Sequence, residues 1–211
     1  MRGCSRAFVV YGEVKMKRPI LFSGPMVLAI LEGRKTQTRR IAKVTGDGCK
    51  PGFITPLGCH VPRRVEEHIS YCPYGKVGDR LWVREAFHLC GTDINGKPHT
   101  EWIYRAGSYE EPGMECTVCK KPVRWKPSIH MPRYASRLTL EITDVSVERL
   151  QDISEEDAKA EGCAPGLTNV KKCHGWTPYV LGYSLLWNEI NGPDAWRKNP
   201  YVWVVSFVAV K

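Results

Sequence analysis

Long apolar runs are missing from this chain. None approaches the roughly 18–20 residues that cross a bilayer, and the apolar part of the basic N-terminus, Phe8-Val9-Val10-Tyr11, is too short for a secretory leader. A glycine-rich phosphate loop between strand and helix, a dinucleotide fingerprint and any internal repeat are missing too, which removes the common nucleotide-fold signatures. The nine cysteines are odd in number and scattered over 211 residues, unlike the dense, even framework of a disulfide-stapled secreted domain. These absences lead to the expectation of a cytoplasmic protein without a membrane segment.

What is present is an excess of cations. Lys and Arg number 31 against 22 Asp and Glu, a formal charge of +9 with a pI near 9.1. Clustered cations displace condensed counterions from phosphate chains and so favour polyanionic partners. A hydrophobic fraction of 43% and a charged fraction of 25% fit an ordinary globular core, and the length suits one domain carrying insertions. Residues 1–15 are expected to be a non-native or disordered extension. Gly12-Glu13-Val14-Lys15 requires purine-rich codons just ahead of Met16, the pattern of a translated ribosome-binding site.

The densest charge lies in Gly33-Arg34-Lys35-Thr36-Gln37-Thr38-Arg39-Arg40. Before it, Ser23 to Glu32 reads as a short helix with Ser23 at the N-cap, Pro25 in the first turn and Gly33 as the stop. After it, the threonines and Ile41 favour a strand. Pro19 to Phe22, Arg80 to Glu85, Glu101 to Arg105, Arg137 to Arg149 and Tyr201 to Val210 read as further strands. Ser154 to Gly162 and Pro178 to Asn191 read as helices, the second with Tyr179, Leu181, Leu185, Leu186 and Ile190 as its apolar stripe. Residues 42–77 and 86–135 are punctuated by Gly and Pro and read as two long loop insertions, although Asn95-Gly96 signals a hairpin within the second.

Strand, short helix, Gly-Arg-Lys-Thr-x-Thr-x-Arg, the Gly78-Asp79-x-Leu81-x-Val83 turn, a capped Glu-rich helix ending in Glu161 and a final Val/Phe strand together resemble the ASCH family. Within it the chain is similar to a larger subgroup associated with phage and prophage, which shares the Cys72-Pro73-Tyr74-Gly75 and Trp125-to-Arg133 segments. The resemblance implies an α+β domain over residues 16–211, a small PUA-like β-barrel with a few short helices. It also implies a hydrolase, since small family members remove the acetyl group from N(4)-acetylcytidine with a Lys, a Thr and a Glu. By motif these fall on Lys35, Thr38 and Glu161. Other members bind RNA or cleave it, so a nucleoside, RNA or DNA is the expected partner, and a non-catalytic binding module or a ribonuclease is the alternative.

The residues can be weighed by their own chemistry. A threonine hydroxyl attacks only when a base takes its proton, and Lys35 serves as that base only as the uncharged amine. Residues three apart on a flat strand face opposite ways, so Lys35 and Thr38 meet only across a bend. Arg34, Arg39, Arg40, Arg84 and Arg133 are candidate phosphate or base-edge contacts. Trp82 and Trp125 are candidate stacking platforms. Ser128 and His130 lie on the proline-bounded loop with Trp125 and Arg133, which reads either as a site lining or as packing. No cofactor is required by this chemistry. Cys116-Thr117-Val118-Cys119 has knuckle spacing for a structural zinc, with Cys49, Cys59, His60 and Cys72 as candidates to complete it and free thiols as the alternative.

Overall fold

The structure is a computed structural model and describes residues 17–42, 72–92, 94–107, 114–166 and 175–210. The expected extension at 1–15, most of the 42–77 loop, and Cys49, Cys59 and His60 lie outside the described residues.

Hydrophobic alternation builds the main sheet. Strand β3 (Arg80–Arg84) buries Leu81 and Val83 and leaves Arg80, Trp82 and Arg84 half-buried on the other face. It pairs in parallel with β1 (Lys17–Leu21) and antiparallel with β6 (Thr139–Arg149). Strand β7 (Tyr201–Val210) lies between β6 and β2 (Gln37–Ile41), giving the order β1-β3-β6-β7-β2. The consecutive buried run Val202-Trp203-Val204-Val205 places β7 with protein on both faces. The strand read over Arg137 to Arg149 carries a register shift between Ile142 and Asp144, which makes β6 one bulged strand.

The expected small β-barrel is corrected to an open sheet. Among the described residues no ladder joins β1 to β2. Pro19 sits in the middle of β1 and has no N–H to donate, which suits an edge strand. The two edges nevertheless approach, because Arg40 Nη2 donates to Leu21 O at 2.7 Å and its guanidinium lies 5.3 Å from the Phe22 ring. Helix α1 (Gly24–Leu31) leaves β1 directly and ends at Gly33, where φ is +74°. Ser23 holds the N-cap position but makes no side-chain cap hydrogen bond.

Helix α2 (Glu155–Ala160) is fixed by a capping box. Ser154 Oγ accepts from the Asp157 N–H and the Asp157 carboxylate accepts from the Ser154 N–H. Helix α3 (Pro178–Asn191) buries Val180, Tyr183, Ser184 and Trp187 instead of the stripe read from spacing, and Leu185 and Ile190 are 57% and 51% exposed. The helix is rotated by contact with the chain beneath it. A Cβ on Gly182 would stand 2.0 Å from Ala164 O, so only glycine lets α3 approach residues 164–166 this closely. With Leu150, Ile153, Ala158, Trp196, Val202 and Val204, the buried side of α3 forms a second core behind β7.

Residues 86–135 are not one long loop. Strands β4 (Phe87–Thr92) and β5 (Pro98–Tyr104) form a separate antiparallel sheet around the Asn95-Gly96 turn. Its core is small, comprising Phe87, Met131 and Ala135 with Trp102 and Tyr104 against them. The buried Glu85 carboxylate joins it to the main sheet by accepting from Arg137 Nε and Nη2 at 2.8 and 2.9 Å. Arg137 also donates to Ala106 O at 2.8 Å and stacks 4.3 Å from the Tyr104 ring.

Candidate active site at the end of the sheet

Gly162, with φ at +78°, turns the chain sharply after α2 and leaves Glu161 facing the start of β2. Lys35 and Glu161 form an antiparallel backbone bridge there. The Thr36 N–H donates to Ala160 O at 2.8 Å and the Phe207 N–H to Thr36 O at 2.8 Å, so the α2 end is stitched to the sheet.

Lys35 is 1% exposed and Glu161 4%. Lys35 Nζ donates to Glu161 Oε2 at 2.6 Å, to Glu161 O at 2.9 Å and to Gln37 O at 2.8 Å. Three acceptors match the three protons of an ammonium. The Gln37 carbonyl belongs to the peptide leading into Thr38, so the lysine amine lies against the backbone just before that residue. Thr38 is buried, and it lines a small cavity of about 50 Å³ together with Glu161, Tyr183 and Trp187.

Arg39 is 3% exposed and is surrounded by acids. Its Nε donates to Glu148 Oε1 at 2.8 Å, Nη2 lies 3.2 Å from Asp157 Oδ2, and Nη1 lies 3.5 Å from Glu161 Oε1. Burial opposes the charge, but Glu161 and Glu148 outweigh it and hold the guanidinium above its ordinary value. Arg39 is therefore an internal counter-ion. Burial and the Glu161 charge push Tyr183 well above the usual phenol value, so its hydroxyl stays protonated. The same two causes push the Cys163 thiol up to about 12, which keeps it an unreactive thiol beside the site.

Asp157 links this network to the helix cap. Burial raises its carboxyl, but the Ser154 hydrogen bonds and the Arg39 charge dominate and lower it below the ordinary 3.8. A carboxyl depressed in the folded state stabilises above its unfolded value, and that contribution disappears as pH falls through the folded value. Stability of the parent is expected to drop more steeply than that of Asp157→Asn below about pH 4. Thermal melts of both proteins across pH 3–6 check this, and parallel curves would refute it.

Beside the cavity lies an open groove of about 750 Å³ running between α1, residues 161–166 and α3. Glu161 borders both spaces. The outward stripe of α3, Leu185, Leu186 and Ile190, forms an apolar wall of the groove with Pro25 and Met26, and Arg34 stands at its rim. Arg34 is exposed, pairs with Glu32 and reaches Gly162 O at 3.4 Å. Arg40 lines the small cavity.

The other sequence candidates are elsewhere. Trp82 and Arg84 lie on β3, separated from β2 by β6 and β7, with Arg84 stacked 5.3 Å from the Trp82 ring and donating to Ile129 O. Half-buried Trp125 and Ser128 and exposed His130 and Arg133 belong to the turns that Ile129 ties to β3. None of these six lines the Glu161 cavity or groove. Conversely, Tyr183, Trp187, Glu148 and Asp157 were not singled out in the sequence. The one local signal for the first two was Gly182, whose place inside a helix marks a close approach. Trp187 Nε1 is buried without a hydrogen-bond partner among the described residues, which leaves a donor on a residue that lines the cavity.

A second cluster holds sulfur. The Sγ atoms of Cys90, Cys116 and Cys119 all lie within 4.8 Å of one another, an arrangement able to hold a metal ion. Cys72 is not among them; it is buried in the main core. No family model matches the chain, and no curated protein or solved structure does. No helix among the described residues is long and apolar enough to cross a membrane.

Proposed function

We propose that the chain is an ASCH-type amidohydrolase acting on an N-acylated nucleoside or nucleic-acid base such as N(4)-acetylcytidine. The observation that carries this reading is the buried Lys35–Glu161 contact of 2.6 Å across 126 residues of sequence, beside Thr38 and at the edge of a groove of about 750 Å³. That volume is within the range of small-molecule sites. The apolar α3 wall suits the faces of a base, and Arg34 at the rim suits a phosphate or sugar oxygen.

The pair shares one mobile proton. Moving it from Lys35 to Glu161 in this buried setting turns an ammonium and a carboxylate into an amine and a carboxylic acid, a base and an acid side by side. The amine takes the Thr38 proton as Oγ attacks the acyl carbon, and the Trp187 N–H is a donor for the developing oxyanion. Glu161 returns its proton to the departing nitrogen, releasing the free exocyclic amine. Water, giving a proton to the regenerated carboxylate, then cleaves the acyl-threonine, and Thr38 recovers its hydroxyl proton.

The test is release of acetate and cytidine from N(4)-acetylcytidine by purified protein beside folded Thr38→Ala, Lys35→Ala and Glu161→Gln variants. Turnover that falls by at least about 100-fold in each variant is expected. The +9 charge and the Arg84–Trp82 stack favour the alternative, a nucleic-acid-binding module. An inactive parent that binds RNA with a steep salt dependence would replace the hydrolase with that reading.

A further inference from the structure

We propose that Cys90, Cys116 and Cys119 hold a structural Zn(II) ion that staples the β4–β5 hairpin to the turn at residues 116–119. The cluster joins two chain segments 26 residues apart; Cys90 is 2% exposed and Cys116 0%, and Cys119 is half-buried. Thiolates around tetrahedral zinc sit about 2.3 Å from the metal, so their sulfurs stand about 3.8 Å apart. Separations of no more than 4.8 Å leave at most about 1 Å for side-chain rotation to close.

The backbone of the turn is shaped for this. The Lys120 N–H donates to Cys116 O at 2.9 Å, the Cys116 N–H to Lys121 O at 2.8 Å, and the Val123 N–H to Met114 O at 2.9 Å, closing a tight knuckle. Lys120 takes a positive φ of 55°, which reverses the chain just after the second cysteine. Lys120 and Lys121 offset the negative charge of three thiolates on one divalent ion.

Energetics supply the reason for a staple. A two-stranded sheet is marginal by itself, and this one has a core of only Phe87, Met131 and Ala135 with two flanking aromatics. Small units with little apolar core are commonly held by a metal or disulfides. Zn(II) binding forms three Zn–S bonds and releases three thiol protons to solvent, with no change of oxidation state. Cys90 and Cys119 also line a surface concavity of about 360 Å³, a path by which the ion reaches the sulfurs. A structural disulfide would use only two of the three sulfurs.

The full-length protein, produced with zinc in the medium, is analysed by elemental mass spectrometry and native mass measurement. One zinc per chain is expected, lost in Cys116→Ser and in Cys90→Ser and retained in Cys72→Ser and Cys163→Ser. Co(II) substituted for zinc is expected to give the intense visible bands of tetrahedral thiolate coordination. If the serine variants do not fold, hydrogen exchange of the parent decides: chelation should release protection in β4 and β5 and spare β7. Metal-free parent with reduced thiols, a disulfide within the cluster, or zinc retained by both cluster variants would overturn the proposal.

Discussion

Glu161→Ala is expected to lower stability by about 3–5 kcal/mol, the cost of removing one partner from a buried ion pair. The reason lies in the burial of each charge. Lys35, Arg39 and Glu161 are almost wholly enclosed, whereas the Glu148 and Asp157 side chains are 28% and 34% exposed. The interior therefore holds two cations against one anion, and the flanking acids serve Arg39. Without Glu161 the carboxylate at 2.6 Å is gone, and Lys35 Nζ keeps only the carbonyls of Gln37 and residue 161. Glu161→Gln preserves shape and a hydrogen-bond acceptor, so its loss should be smaller, about 1–3 kcal/mol. Lys35→Met combined with Glu161→Leu should recover most of the single-variant loss, because a buried pair replaced by apolar groups of similar volume is often close to neutral. Urea denaturation of the four proteins checks this. A Glu161→Ala protein within about 1 kcal/mol of the parent would mean that water reaches the pair.

Arg137→Ala is expected to cost a similar amount, about 3–5 kcal/mol, and to loosen the β4–β5 unit in particular. Glu85 is 1% exposed and both its oxygens are occupied by one guanidinium. Alanine would leave that carboxylate buried and unpaired. It would also remove the donor to Ala106 O and the stacked contact on Tyr104, so main-sheet and hairpin anchors vanish together. Arg137→Lys should rescue only part of the loss, since one ammonium cannot reproduce the forked two-oxygen geometry. Hydrogen exchange resolved by strand provides the check. Arg137→Ala should raise exchange in β4 and β5 more than in β7, and equal changes throughout would sink the idea that Arg137 links the hairpin to the main sheet.

The capping serine, the acids of the first turn and the stopping glycine made α2 legible to within a residue, because each acts on its nearest neighbours along the chain. The alternation in β3 and the apolar run of β7 were legible for the same local reason. Strand β4 was not: Phe87 to Thr92 has no clear alternation, and its pairing depends on a partner across the Asn95-Gly96 turn. The buried side of α3 differs from the stripe its spacing suggests because several apolar residues face the groove, and the rotation of the helix is set by Gly182 against Ala164. Arg39 shows the same limit. Its neighbours in sequence mark it as a surface cation, but the strand buries it among acids contributed by β6 and α2.

The positions of most strands and helices, the excess of positive charge and the candidate residues Lys35, Thr38 and Glu161 can all be read along the chain. Those follow from local propensity, periodicity and composition. Three-dimensional packing is what leaves β1 and β2 without a shared ladder among the described residues, brings Lys35 and Glu161 into a buried contact and sets Cys90 beside Cys116 and Cys119. Each of these depends on segments distant in sequence meeting in a solvent-poor interior. There, desolvation makes an unpaired charge or thiolate costly and so ties each group to its partner.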